Sequence, residues 1–350
     1  MASSPLIIPV FLPSMGCREQ CLFCNQKSAK DGLPSPSSVK DFIVTSLSKF
    51  PSEQKGREKQ VAFYGGSFTA IRRDDQIRYL KEVQPFLASG LIDSIRISTR
   101  PDALDEETLS LLKEYRVKTV EVGVQSMIDE VLLLAHRGHC AADTVDAISR
   151  LKDKKFEVGL QLMIGLPGDT CDLFLQTLDR VIELKPDFVR IHPTLVLEGA
   201  PLEILWREGR YSPLQLDEAV QWLKKGILKL ENSSIPVARI GLQPTEELER
   251  NFLAGPYHPA FRQLVDSAIF FDMATSLLQV SQKNGQALFF CHPKEVSNLR
   301  GQKNENILRL KKHFKLSEIL INGRQELPRG TLGLQTQGEE VSIHRKFLVL

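Results

Sequence analysis

The chain has no apolar run long enough to cross a bilayer, and its start, Met1-Ala2-Ser3-Ser4-Pro5, lacks the basic residues and hydrophobic core of a secretory signal. The short apolar stretch Leu6–Leu12 reads instead as a buried strand. The sequence therefore predicts no membrane partner and a reducing, cytoplasmic location. Net charge is also scarce: 45 Lys and Arg against 43 Asp and Glu leave +2. That balance neither demands nor forbids a nucleic acid, since a local basic groove is invisible in the sum. Lys303–Lys315 is fairly basic and reads most simply as a solvated helix face. Cysteine is sparse, with six in 350 residues, and a chain of this length does not need disulfides. Cys140, Cys171 and Cys291 are scattered and read as ordinary small residues. Cys17, Cys21 and Cys24 fall within eight residues. There is no internal repeat, no flavin motif and no second compact cysteine group.

What is present is an alternation of strands and amphipathic helices. Strands are expected at Leu6–Leu12, Val61–Tyr64, Ser94–Ser98, Thr119–Val124, Glu157–Ile164 and Phe188–His192. Helices are expected over Ser38–Phe50, Asp74–Ala88, Asp105–Tyr115, Ala141–Lys154 and Thr170–Leu184. Asp169 or Thr170 is placed to cap the last of these. Pro9 sits awkwardly inside the first strand. Such alternation requires a mostly parallel sheet with right-handed crossovers, which puts the loops after the strands on one face. The suggestive residues fall there repeatedly: Cys17, Gly65, Thr99, Gln125 and Gly165. A closed barrel needs eight units and about six are visible. The expected fold is thus α/β, a partial (β/α)6 TIM-like barrel over residues 1–245, with a helical connection and smaller C-terminal α/β module over 246–350.

The strongest motif is Gly16-Cys17-Arg18-Glu19-Gln20-Cys21-Leu22-Phe23-Cys24, with spacing C-x3-C-x2-C after the first strand. Thiolates are soft donors suited to Fe–S clusters, and three of them hold three irons of a cubane while leaving the fourth open to a small ligand. Structural zinc is the alternative. It usually takes four ligands, no fourth cysteine lies nearby, and a remote histidine would have to complete the set.

This loop resembles the signature of the radical S-adenosylmethionine superfamily, in the branch containing the Elongator catalytic subunit and coproporphyrinogen-oxidase-like proteins. The resemblance runs from about residue 5 to 245. It implies a [4Fe–4S] cluster on Cys17, Cys21 and Cys24, with S-adenosylmethionine chelated by the open iron and cleaved reductively to a 5′-deoxyadenosyl radical that abstracts hydrogen. It further implies cofactor contacts from several segments. Gly65-Gly66-Ser67-Phe68 is similar to the glycine-rich turn that meets the methionine amino group, although Ser67 replaces the usual acidic residue. Thr99 and Arg100 border the cofactor, Arg100 alternatively making a surface or helix-terminus contact. Glu121 and Gln125, on one face of the fourth strand with Gly123, contact ribose, amino group or substrate, or form an internal polar network. Arg137, in His136-Arg137-Gly138-His139, reaches cofactor or carboxylate. Gln161, Met163, Gly165 and Leu166 cradle adenine, and His192 stands where that branch has tyrosine. Phe23 shields the cluster.

The implied function is a radical S-adenosylmethionine enzyme supplied with electrons by a donor such as flavodoxin or ferredoxin, its substrate unidentified. RNA or transfer RNA modification is one alternative, although the chain shows no acetyltransferase domain and no long basic N-terminal arm. A non-catalytic protein that binds S-adenosylmethionine, handles a cluster or handles haem is another. Whether the tail forms a dimer surface is left open.

Overall fold

A computed structural model describes residues 5–17, 20–26, 34–49, 56–280, 285–335 and 339–348. In chain order the first elements are β1 (Leu6–Phe11), α1 (Pro36–Ser48), β2 (Lys59–Tyr64), α2 (Arg73–Ala88), β3 (Ser94–Thr99), α3 (Glu106–Glu114), β4 (Val117–Gln125), α4 (Asp129–Leu134), α5 (Ala141–Asp153), β5 (Glu157–Ile164), α6 (Cys171–Leu184) and β6 (Phe188–Pro193). There follow β7 (Val196–Leu197), α7 (Pro201–Arg207), α8 (Leu216–Asn232), β8 (Val237–Ile240), α9 (Glu246–Asn251), β9 (Phe252–Ala254), α10 (Phe261–Val280), β10 (Gln286–Cys291), α11 (Val296–Arg300), α12 (Glu305–Phe314), β11 (Glu318–Gly323), β12 (Thr331–Gln335) and β13 (Glu340–His344). The chain divides into one unit of residues 1–213 and 245–254 and a second of 214–244 and 255–350.

In the first unit β1 to β6 lie side by side in chain order, every neighbouring pair parallel. This is the partial TIM-like barrel that the alternation predicts. The helices begin where capping chemistry allows. Asp105 accepts from Thr108 N–H, and Thr170 accepts from the Leu173 N–H. The helix expected from Ser38 starts two residues earlier, because Ser35 caps it and Pro36 takes a first-turn position where no N–H is needed. Pro9 is tolerated because β1 lies at the end of the sheet order and, among the described residues, pairs with β2 alone.

Register and period-two alternation divide the strand residues into two faces. One carries Val61, Phe63, Ile95, Ile97, Val120, Val122, Val158, Leu160, Val189 and Ile191, all at most 1% exposed. This is the side the crossover helices cover, with α3 and α5 on β4 and α5 on β5. The other face carries Gln60, Tyr64, Ser94, Arg96, Thr119, Glu121, Gln161, Arg190 and His192. The interior of the half-barrel is therefore polar, and it is organised by charge. Glu121 receives Arg96 at 2.6 Å, Arg190 at 3.0 Å and the Tyr64 hydroxyl at 2.9 Å. Arg96 also donates to Gln60 at 2.9 Å and lies over the Phe188 ring. That ring crosses Gly159 so closely that a Cβ there would stand 2.2 Å from it.

The second unit contains a four-stranded sheet in the order β11-β10-β12-β13, with β10 parallel to β11 and antiparallel to β12, and β12 antiparallel to β13. The α10 helix packs against β12. A buried charge cluster joins Arg345 to Glu231 and Asp266, with Arg262 on Asp266.

Candidate functional site

Cys17, Gly65, Thr99, Gln125 and Gly165 lie at the C-terminal ends of β1 to β5, and the His136–His139 loop joins α4 to α5. The root of the cysteine loop is woven into the turn after β2. Ser67 N–H donates to Met15 O at 2.8 Å. A Cβ on Gly66 would stand 2.2 Å from Met15 O, and one on Gly16 would stand 2.2 Å from Ser67 O. Gly16 also has φ +73°. Two backbones can cross this closely only where side chains are missing. Ser67 in turn shares a hydrogen bond with Thr99 at 3.0 Å and accepts from Arg100 N–H at 3.2 Å, tying the turn to the end of β3.

The three thiols converge electrostatically. Burial first, and then the neighbouring thiols, push Cys17 and Cys24 above the usual cysteine range, while Arg137 pulls both back. Such a group resists ionising unaided, and a bound cation would remove that resistance. Among the described residues no three His, Cys, Asp or Glu side chains are gathered tightly enough for one ion. By its chemistry the donor set, three soft thiols with no fourth cysteine in the described part of the loop, suits three irons of a cubane. Residues 18 and 19, inside the loop, lie outside the described residues.

Arg137 is the principal polar partner of this loop. Its Nη1 donates to Cys21 Sγ at 3.1 Å and its Nη2 to Gly123 O at 2.7 Å. Beyond it β4 is irregular: its pairing with β5 skips a residue between Gly123 and Gln125, and Gln125 has φ +66°. Simple alternation put Gln125 on the face of Glu121 and Gly123, whereas the bulge takes its backbone out of that alternation. Its amide nevertheless folds back over Gly123, to within 3.1 Å of where a Cβ would sit. Gln125 Oε1 and Arg137 Nε are buried and, among the described residues, meet no hydrogen-bond partner, and His139 is buried beside them. Burial, with Arg137 and Arg100 adding to it, lowers the His139 pKa to about 4. Such unpartnered atoms stand at the end of β4 beside the cysteine loop.

Other flagged residues are engaged within the protein. Glu121 meets Arg96, Arg190 and Tyr64, as described. Arg100 forms a bidentate pair with Asp102, both contacts 2.9 Å. Gln161 shares a hydrogen bond with His192 Nδ1 at 3.2 Å. Met163 and Leu166 belong to an apolar cluster with Val131 and Ala135, against which Phe23 packs.

Phe23 touches a second cluster as well, formed by Leu22, Val196, Leu202 and Tyr211. Leu22 is pinned at both ends of its peptide, donating to Ala135 O at 3.2 Å and accepting from Leu202 N–H at 2.8 Å. Tyr211 reaches Gly165 O at 2.6 Å, and Asp169 accepts from Gly165 N–H at 2.9 Å. These supporting roles leave no sign in residue order: Tyr211 lies in an irregular stretch without motif or periodicity.

Burial pushes the Asp169 carboxyl up to about 7, against partial relief from the Gly165 and Thr170 N–H groups. A carboxyl whose folded pKa exceeds its unfolded value stabilises the fold below the unfolded pKa, and that contribution disappears as pH rises through the folded pKa. The protein is thus expected to lose stability between about pH 4 and pH 7 through this residue. Thermal unfolding midpoints across that range should fall more in wild type than in Asp169→Asn. Parallel profiles would refute the assignment.

Comparison with known proteins agrees with this geometry. The description "Radical SAM superfamily" matches residues 11–181, and "Radical_SAM C-terminal domain" matches residues 186–270. The chain belongs to the radical SAM superfamily. Its relatives include a tRNA uridine(34) acetyltransferase of Methanocaldococcus jannaschii, 36% identical over 128 residues, 36% of this chain and 24% of that protein. Human Elongator complex protein 3 is 33% identical over 132 residues, again 36% and 24%. Protein YhcC of Escherichia coli is 27% identical over 206 residues, 57% and 64%. The chain thus spans about a quarter of the acetyltransferase and Elongator relatives. Among solved structures, archaeal Methanocaldococcus infernus Elp3 with an N-terminal deletion aligns with TM-score 0.59 at 21% identity, covering 77% of this chain and 63% of that one. This likeness shows a shared fold. No helix among the described residues is long and apolar enough to cross a membrane.

Proposed function

We propose that this chain is a radical S-adenosylmethionine enzyme whose cluster is held by Cys17, Cys21 and Cys24. The observation that carries the reading is the three-thiol loop at the C-terminal end of β1, woven into the glycine turn of β2, inside the segment that matches the superfamily. When bound, the cluster and S-adenosylmethionine supply one-electron cleavage of a carbon–sulfur bond and a radical able to remove hydrogen from a substrate. The protein's own residues do the rest. Cys17, Cys21 and Cys24 ligate. Gly65, Gly66 and Ser67 offer backbone at close approach. Gln125 contributes an unpartnered amide oxygen at the β4 bulge. Phe23, Met163 and Leu166 exclude water from the loop's flank. A low-potential one-electron donor, flavodoxin or ferredoxin in kind, completes the reaction, and a cytoplasmic setting suits it.

An RNA substrate is the second reading. It is favoured by the names of the acetyltransferase and Elongator relatives, and by a basic hollow in the second unit lined by Phe271, Arg309, Lys312 and His313. Arg309 lies over the Phe271 ring at 4.1 Å, so what the hollow offers is a group of cations suited to phosphates.

The test is anaerobic reconstitution with iron and sulfide, followed by incubation with S-adenosylmethionine and a strong reductant. 5′-Deoxyadenosine and methionine should form in equal amounts. With deuterated candidates, small metabolites in one arm and transfer RNA in the other, the true substrate should pass deuterium to 5′-deoxyadenosine. A protein that binds zinc but no cluster, or a full cluster that cleaves no cofactor, would defeat the proposal.

A further inference from the structure

We propose that Arg137 sets the reduction potential of the cluster by donating a charge-assisted hydrogen bond to the Cys21 sulfur. The inference rests on the cluster reading above and adds to it a positioning residue and a measurable property. Arg137 is 6% exposed, and its guanidinium is anchored at both prongs, one on Cys21 Sγ at 3.1 Å and one on Gly123 O at 2.7 Å. Its backbone is fixed by the close of α4. Arg137 N–H donates to Leu132 O at 3.0 Å, and the flanking His136 and Gly138 have φ +54° and +66°. Left-handed residues on both sides turn the chain sharply enough to aim the side chain back at the cysteine loop.

Arginine stays charged at any accessible pH, and its planar fork can serve a sulfur and a carbonyl together. The step affected is the addition of one electron, from a low-potential donor, to the oxidised cluster; no covalent bond forms or breaks. The reduced cluster bears one more negative charge. A buried cation with an N–H on one of its sulfurs stabilises that form and raises the potential. Gly123 takes part in the same arrangement, because a Cβ there would stand 3.4 Å from Arg137 Nη2 and 3.1 Å from the Gln125 amide. A methyl group at that position would crowd the Gln125 amide packed beside the guanidinium, touching the guanidinium itself only at ordinary contact distance and leaving its charge unaltered.

The test is a redox titration of reconstituted protein, followed by the electron paramagnetic resonance signal of the reduced cluster. In Arg137→Gln the ratio of reduced to oxidised cluster at a fixed potential should fall about tenfold, equivalent to about 59 mV for one electron. Arg137→Lys, which keeps the charge but not the fork, should recover part of the shift. Gly123→Ala should move the midpoint in the same direction by less. If Arg137→Gln does not retain its cluster, the other two variants decide. Iron content and visible absorption of the wild type separate the two levels. A wild type without a cluster defeats the functional reading. A wild type with a cluster, and variants whose midpoints match it, overturns the role of Arg137 alone.

Discussion

Cys17→Ala, Cys21→Ala and Cys24→Ala should each lower iron in anaerobically reconstituted protein by on the order of tenfold or more, and should remove the broad visible absorption. The expectation follows from how the ligands divide the work. With three thiolates on three irons there is no spare donor, and the described part of the loop offers no fourth cysteine to substitute. The loss should be equal at the three positions although their surroundings differ. Cys21 is buried and bonded to Arg137, while Cys17 and Cys24 are half-buried. Cys140→Ser is the control, because Cys140 only caps α5 in a reciprocal arrangement with Asp143, a task serine performs well. Folding should be followed in parallel by circular dichroism. A normal cluster in any one of the three alanine variants would remove that residue from the ligand set.

The second large effect concerns stability. Glu121→Ala should destabilise the first unit by about 3–5 kcal/mol, the usual result of stripping one partner from a buried ion pair. Arg96 and Glu121 are 4% and 3% exposed, and Arg190 also leans on the same carboxylate. Removing Glu121 leaves two guanidiniums facing each other in a confined space, together with a phenol from Tyr64 that has lost its acceptor. The melting temperature should drop on the order of 10 °C. Arg96→Met combined with Glu121→Ala should cost less than the sum of the single changes, since the pair acts as a unit. A drop in stability below about 1 kcal/mol for Glu121→Ala would show that the network holds nothing together.

Much of this architecture is legible from sequence because two periodicities compete cleanly. β5 runs over Glu157–Ile164 as the alternation of Val158, Leu160 and Leu162 with Gly159 and Gln161 implies, and α6 begins after Thr170 because threonine caps it. The short elements are not legible. Asp129–Leu134, Pro201–Arg207 and Glu246–Asn251 are each at most seven residues, too short for a period of 3.6 to repeat. The site divides in the same way. The cysteine spacing is a local pattern and stands out. The fates of Glu121 and Arg100 depend on partners, and only folding decides whether a carboxylate meets a ligand or an arginine from the next strand. Gln125 escapes the period-two rule because a bulge at the end of β4 leaves no trace in residue type. Arg137 is visible as a motif, but its hold on Cys21 spans 116 positions and has no local signature.

The clamp on Leu22 and Tyr211 limits how far the cysteine loop could be transplanted. Its apolar residues are sheltered by segments that follow the sixth strand, namely α7, Tyr211, and the ribbon of β7 with β9. A graft carrying only the metal-binding peptide and the strands beneath it would leave Leu22 and Phe23 facing water. The smallest portable version of this centre is therefore a discontinuous piece of chain, including residues 245–254.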